Sequence, residues 1–261
     1  MKTIVVTGST RGIGFGLVDD FLKLGTNVVV SGRTPASVKT AVERLIKAHG
    51  ESRILGVPCD VSRPEEVQAL WDAAVKRFSS VDVWINNAGL SSPRLPFWLQ
   101  SPIRARAVVE TNLIGVMNGC QVALNGMLAQ GQGHIWNMEG FGSGGQKAEG
   151  IAIYGATKRA VTYFTEALLK DTKGKNVGVS FLSPGIVVTD LLKDDYKDAP
   201  EAWEKAKKFF NILGDKVETV TPFLAKGVLE TEKTGSRVAW LTTGKAFFRF
   251  MTAFRKRDIF T

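Results

Sequence analysis

The sequence predicts an α/β chain folded as one doubly wound parallel β-sheet with helices on both faces. Three observations carry this. Short apolar runs of strand length alternate along the chain with amphipathic stretches of helix length, the pattern of repeated strand–helix–strand units. A glycine-rich turn joins the first such run to the first helix. The length of 261 residues, 44% of them hydrophobic, suffices for one large domain and is marginal for two.

Thr3 to Thr7 reads as a buried strand and Ile13 to Leu24 as a helix with a repeating apolar face. Between them lies Gly8-Ser9-Thr10-Arg11-Gly12-Ile13-Gly14. Glycines permit the tight turn and let backbone amides approach a phosphate at a helix N-terminus, where the dipole favours anions. One glycine-rich turn is weak evidence alone, but a strand before and a helix after are the context a dinucleotide site requires. Asn27 to Ser31 is a second strand, and Arg33 follows it where an acid would bind ribose hydroxyls. Arg33 and Arg11 could pair with a 2′-phosphate, which favours NADP over NAD; the plainer reading leaves both solvated.

A helix from about Pro35 to His49 leads to a strand at Arg53 to Val57. Cys59-Asp60-Val61-Ser62 follows, with Ser62 to Glu65 capping the next helix and Asp60 suited to a turn or cap. Val81 to Ile85 is the fourth strand and runs into Asn86-Asn87-Ala88-Gly89, small and amide residues that let the chain pass close to a ligand. A longer helical stretch, around Ile103 to Ala129, contains Thr111-Asn112-Leu113-Ile114-Gly115. Asn is unfavourable inside a helix, so Asn112 predicts either a surface position or a bond to nearby backbone. His134 to Met138 is the fifth strand and enters the loop Gly140-Phe141-Gly142-Ser143-Gly144-Gly145. Val177 to Leu182 is the sixth strand, ending in Ser183-Pro184-Gly185 and Ile186 to Asp190, and Arg237 to Leu241 is the last.

Between the fifth and sixth strands, a helix to about Lys173 carries Tyr154-Gly155-Ala156-Thr157-Lys158. A spacing of four places phenol and ammonium on one face. A cation ~5 Å away at an effective dielectric of ~20 favours phenolate by roughly 3 kcal/mol, or ~2 pKa units. A phenol with an ordinary pKa near ~10 would then suit proton donation to a carbonyl oxygen. Most Tyr–Lys pairs at this spacing are a packed ring beside a solvated charge, so the argument rests on the neighbouring motifs.

Composition excludes several classes. No run is long and apolar enough to cross a bilayer, and Cys59, Cys120, His49 and His134 form no metal-ligand spacing. The two thiols fit a reducing compartment. The charge of +9 is spread along the chain, except for Arg249, Arg255, Lys256 and Arg257 near the C-terminus. No nucleic-acid motif accompanies these, so no nucleic-acid partner is expected. The first strand-like run begins at Thr3, which predicts no targeting peptide.

Together, Thr7-Gly8-x-x-x-Gly12-x-Gly14, Asp60-Val61, Asn86-Asn87-Ala88-Gly89, Asn112, Tyr154-x-x-x-Lys158 and Pro184-Gly185-x-x-x-Thr189 resemble the short-chain dehydrogenase/reductase family over nearly the whole chain. The resemblance implies a single-domain Rossmann-type fold of about seven strands, an NADP(H) cofactor and a homo-oligomer, tetramer or dimer. It implies Tyr154 as proton donor, Lys158 on the nicotinamide ribose and depressing the tyrosine pKa, and Asn112 holding a relay water. Cofactor contacts would come from the turn at Gly8 to Gly14, from Arg33, Tyr154 and Lys158, and from Pro184, Gly185, Ile186 and Thr189. Asp60, Val61, Asn87, Ala88 and Gly89 would lie around the adenine side.

One position departs from that pattern. The serine that polarises the substrate carbonyl falls here at Glu139 or Gly140. Its loss could cost roughly 10²-fold if nothing replaces it. The nearest hydroxyl is Ser143. The loop Asn137-Met138-Glu139-Gly140-Phe141-Gly142-Ser143-Gly144-Gly145 resembles that of chlorophyll b reductases, Asn-Met-Asp-Gly-x-Gly-Ser-Gly-Gly, as do the stretches Thr111 to Gly115 and Ser183 to Leu192. This implies an active enzyme with Ser143 as polariser, reducing the formyl group of chlorophyll b or chlorophyllide b to 7-hydroxymethyl chlorophyll a. The alternatives are a reductase of another bulky lipophilic carbonyl or alcohol, and a catalytically silent NADP-binding sensor or scaffold. A bacterial homologue would be cytoplasmic.

The reductase domain is expected over 1–244, with a substrate lid at about 186–215 holding a helix from Pro200 to Phe210. Its Trp203, Phe209 and Phe210 could face a flat tetrapyrrole or fill the core. In the remaining tail, 245–261, Phe247, Met251 and Phe254 form one stripe beside basic residues. That pattern fits an anionic membrane, or docking on this or a neighbouring subunit.

Overall fold

The computed structural model describes residues 1–197, 200–254 and 257–260. Its strands are β1 (Thr3–Val6), β2 (Asn27–Gly32), β3 (Ile54–Pro58), β4 (Val83–Asn86), β5 (His134–Met138), β6 (Gly178–Ser183), β7 (Ile186–Val188), β8 (Gly214–Lys216) and β9 (Arg237–Ala239). Seven of them form one parallel sheet in the order β3-β2-β1-β4-β5-β6-β9. Helices cover both faces, so the strands read as continuous apolar runs. Alternation along β1 divides the core, with Ile4 and Val6 packing into one apolar cluster and Val5 into the other.

The helices are α1 (Gly12–Lys23), α2 (Pro35–His49), α3 (Pro64–Phe78), α4 (Pro102–Val109), α5 (Gly115–Gln130), α6 (Ala152–Asp171), α7 (Asp190–Asp194), α8 (Pro200–Leu213), α9 (Val217–Glu230) and α10 (Thr243–Met251). The long helix expected from Ile103 to Ala129 is interrupted. Glu110–Ile114 forms one π-helical turn between α4 and α5, a feature frequent at functional sites. Asn112 lies in that turn and is fully buried, so the surface position is ruled out.

Strand order reverses between β1 and β4, and ligands bind such sheets outside the carboxyl ends of the strands at that point. Beyond β6 the chain leaves the main sheet. β7 pairs in parallel with β8, Ile186 opposite Gly214 and Val188 opposite Lys216, and this small sheet clasps the base of the excursion that carries α7 and α8. Within it Tyr196, Trp203 and Phe210 form an aromatic cluster, which Phe260 from the C-terminal segment joins through Trp203. α9, which sequence reading left unassigned, packs against α1; a Cβ at Gly16 would come within 2.6 Å of Val217 Cγ1.

The C-terminal helix is docked on the body. Asp215 is 3% exposed and accepts from Trp240 Nε1 at 2.6 Å, from Arg249 at 2.7 and 3.0 Å, and from Arg257 Nη2 at 2.7 Å. Those two arginines are turned inward, while Phe247, Met251 and Phe254 are well exposed. Arg255 and Lys256 lie outside the described residues. Among the described residues, no helix is long and apolar enough to cross a membrane.

Candidate active site

The first strand–helix turn determines one wall of the site. Gly8 has φ +63° and Gly12 φ +57°, both in the region that favours glycine, and a Cβ at Gly8 would sit 2.7 Å from Ala88 Cα. Asn87 Nδ2 locks the turn by donating to the carbonyls of Thr7 at 2.8 Å and Gly8 at 3.0 Å. Thr7 Oγ1 accepts from the backbone N–H groups of Asn87 and Ala88. The strand-end amides thus brace the glycine loop. At the start of α1 the N-cap residue Arg11 makes no side-chain cap, the first turn holds no acid, and Gly12, Ile13 and Gly14 line the cavity. That is an anion cradle that fits a dinucleotide phosphate.

The cavity, about 690 Å³, lies over the carboxyl ends of the central strands. Of the residues anticipated from sequence, it brings together Gly8, Arg11, Gly12, Ile13, Gly14, Asn87, Gly89, Tyr154, Lys158, Pro184, Gly185, Ile186 and Thr189. Arg11 also pairs with Asp190 across its rim at 3.8 Å. Ser9, Thr10, Arg33, Asp60, Val61 and Ala88 do not line it. Ser9 Oγ donates to Val6 O and accepts from Ser31 N, while Asp60 Oδ1 accepts from the amide and hydroxyl of Ser62, the plain turn role. Arg33 is exposed just past the end of β2.

Tyr154 and Lys158 occupy successive turns of α6 on the cavity side. The expected lowering of the tyrosine pKa does not occur. Burial, followed by the negative charge of Asp195, pushes the Tyr154 phenol well above its usual value. The lysine does not offset this: its Nζ lies 5.8 Å from the Tyr154 ring centre and donates to Met138 O at 3.0 Å. Burial lowers Lys158 itself to about 8, with the charge of Glu139 opposing that fall. A phenol that keeps its proton is the form a proton donor needs. Asn112 Oδ1 accepts from Leu90 N at 2.7 Å, and its Nδ2 donates to Leu90 O and Thr157 Oγ1. Both amide hydrogens are committed, so the side chain braces the loop after β4 against α6.

Ser143 is the clearest departure from expectation. Its Oγ accepts from Gly140 N at 3.1 Å and donates to Lys158 O at 3.3 Å, and the residue does not line the cavity. Its hydroxyl closes the 140–143 turn. Glu139 does line the cavity, held by both arms of Arg237 at 3.0 and 3.1 Å. The far end of the cavity is formed by Phe141, Ile151, Leu191, Leu192, Phe209 and Phe210. Sequence reading missed Ser91 and Asp195, which line it and are joined by a hydrogen bond of 2.9 Å. They lie 104 positions apart, so no spacing motif could reveal them; the position of Ser91 two residues past Gly89 was the one available signal.

A family model for short chain dehydrogenases matches residues 2–200. Chlorophyll(ide) b reductase NOL of Arabidopsis thaliana is 38% identical over 258 residues, covering 95% of this chain and 72% of the relative. Probable chlorophyll(ide) b reductase NYC1 of Oryza sativa subsp. japonica is 33% identical over 98% of this chain and 53% of the relative. Both relatives are described as chloroplastic. Among solved structures, an actinorhodin polyketide ketoreductase with NADPH superposes with a TM-score of 0.79 at 28% identity, covering 92% of this chain and 95% of the other.

Proposed function

This chain belongs to the short-chain dehydrogenase family, and on that premise we propose that it reduces the formyl group of a chlorophyll b-type pigment to a hydroxymethyl group with NADPH. The observation that carries the reading is the 38% identity to a chlorophyll(ide) b reductase over 95% of the chain. The site accords with it: a phosphate cradle, a protonated buried phenol, and an apolar, aromatic far end share one cavity.

Bound NADPH supplies the hydride. The first turn of α1 would hold its phosphates, and Arg33 with Arg11 would take the 2′-phosphate. Pro184 to Thr189 and Lys158 would hold the nicotinamide end. Tyr154 Oη gives its proton to the carbonyl oxygen, and the lid spanning 186–215 excludes water. Phe141, Phe209 and Phe210 offer flat faces to a tetrapyrrole.

The direct experiment incubates the protein with NADPH and chlorophyll b or chlorophyllide b and separates the pigments. A hydroxymethyl product that disappears in Tyr154→Phe, with NADPH binding intact, supports the reading. Tight NADPH binding without a pigment product sinks it in favour of another lipophilic carbonyl or a silent NADP-binding protein.

Two surfaces extend the proposal. α10 presents Phe247, Phe248, Phe250 and Met251 outward, Phe254 is exposed just beyond it, and Phe250 lies tilted against Phe209 of the cavity lining, 6.2 Å between ring centres. That apolar path, on a chain of charge +9, fits an anionic lipid surface carrying the pigment. Flotation with anionic vesicles tests it: loss of binding in Phe247→Glu is expected, and no flotation of the native protein excludes it. Exposed Phe97, Trp98, Leu99 and Ile103 beside α4 fit a second copy of the chain; sedimentation as a monomer would exclude the homo-oligomer.

A further inference from the structure

Reduction by Tyr154 needs a partner for the carbonyl oxygen, because one proton donor alone leaves the developing alkoxide poorly held. Position 140 has no side chain, and the Ser143 hydroxyl is committed to the 140–143 turn. We propose that Ser91 supplies the second hydrogen bond to the substrate oxygen, with Asp195 as the residue that positions its hydroxyl. The inference rests on the carbonyl reduction proposed above.

Ser91 is 4% exposed and lines the cavity, and its Oγ donates to Asp195 Oδ2 at 2.9 Å. The pair bridges the loop after β4 to the lid. It is held there by Arg94 N donating to Asp195 O at 3.1 Å and by Arg104 Nη2 donating to Ser91 O. Asp195 stands close enough to the phenol that its charge raises the Tyr154 pKa. Serine, carboxylate and proton donor thus line one cavity, the space a substrate carbonyl must enter.

Asp195 decides which way the serine hydrogen points. Ionised, it accepts that hydrogen and withholds it from the substrate. Protonated, it donates to Ser91 Oγ, and the serine hydrogen turns to the carbonyl oxygen. Burial raises Asp195 to about 6, with the Ser91 bond, Arg94 and Arg104 opposing and Asp194 adding to the rise. The Asp195 charge also acts on Tyr154 and Tyr196, and Arg11, Glu139, Lys147, Lys158, Asp190 and Lys205 line the same cavity. The protonated form is lost as pH rises through the Asp195 pKa, so turnover falls there.

The test compares Ser91→Ala, Ser91→Thr and Asp195→Asn with the native protein, from about pH 5 to about 9. Rates are read on chlorophyllide b and on benzaldehyde, and NADPH binding by fluorescence. Below about pH 6, Ser91→Ala lowers kcat by about 10²-fold with NADPH affinity unchanged, and Ser91→Thr recovers most of the rate. In Asp195→Asn the amide donates to Ser91 at every pH, so the fall above about pH 6 disappears from the pH profile. The inference is overturned if Ser91→Ala stays within a few-fold of native below about pH 6, or if Asp195→Asn keeps that fall. A native protein that reduces benzaldehyde but no pigment overturns the substrate reading instead, and the pair is then judged on benzaldehyde.

Discussion

Gly140 and Tyr154 compete for one piece of space: a Cβ at position 140 would lie 2.4 Å from Tyr154 Oη and 3.2 Å from Lys158 Cε. The phenol sits where a side chain at 140 would begin. Replacing the residue with serine therefore forces the buried phenol out of its position, and a shift of an ångström in a proton donor is costly. Gly140→Ser should lower kcat at least ~10-fold while leaving NADPH affinity near native. Steady-state rates with parallel NADPH titration measure both. A raised kcat would mean that the phenol retreats without loss and that a hydroxyl at 140 serves better than the present arrangement.

Arg33 stands exposed at the end of β2, where no acid is available to bind ribose hydroxyls. Removing it takes away a charge-assisted contact to a 2′-phosphate and nothing that NADH carries. Arg33→Ala should weaken NADPH about 10-fold or more and leave NADH nearly unchanged, a loss of roughly 1.4 kcal/mol or more. Equal weakening of both cofactors would place the phosphate elsewhere, with Arg11 the next residue to replace.

The seven main-sheet strands were legible because burial on both faces leaves unbroken apolar runs, such as Ile4 to Val6 and Val28 to Val30. The glycine turn and the Tyr154–Lys158 spacing were legible because each is local. α9 was not, although Val220, Leu224 and Val228 recur at helical spacing and are buried. Pro222 and several β-branched residues argue against a helix locally. Packing on α1, including the bond from Thr221 Oγ1 to Asp20 Oδ2 at 2.6 Å, overrides them. The same limit applies to Ser143: composition places a hydroxyl near the site, but only the turn geometry shows that it bonds Gly140 N and Lys158 O. It applies again to Tyr154, where helical spacing predicts a helpful lysine and burial of the phenol dominates.

Glu139 and Lys158 face the same cavity, and the carboxylate supports the charge of the lysine. Burial lowers Lys158 to about 8, so the ammonium is lost, and activity with it, as pH rises through that value. Glu139→Gln removes the opposing charge and leaves Arg237 unpaired nearby, both of which favour the neutral amine. The upper limb of the pH profile should therefore move to lower pH, read from kcat/KM across the alkaline range. An unmoved limb would show that another group sets it.

Asp215 anchors α10 through two arginines and an indole, and the lid through β8. Burial alone would raise this carboxyl, but Arg249, Trp240 and Arg257 hold it below the ordinary carboxylate range. A depressed folded-state pKa contributes stability that is present above the unfolded value of ~3.9 and lost as pH falls through the folded one. Asp215→Asn leaves two inward-turned guanidinium groups without their carboxylate, of which Arg249 is 14% and Arg257 36% exposed. Partial exposure reduces the usual cost of breaking a buried pair to roughly 2–3 kcal/mol. Thermal unfolding at neutral pH should shift down by several degrees, and the gap from native should narrow below about pH 4. A gap that persists undiminished in acid would mean that the packing of α10, and not its ion pairs, holds the helix to the body.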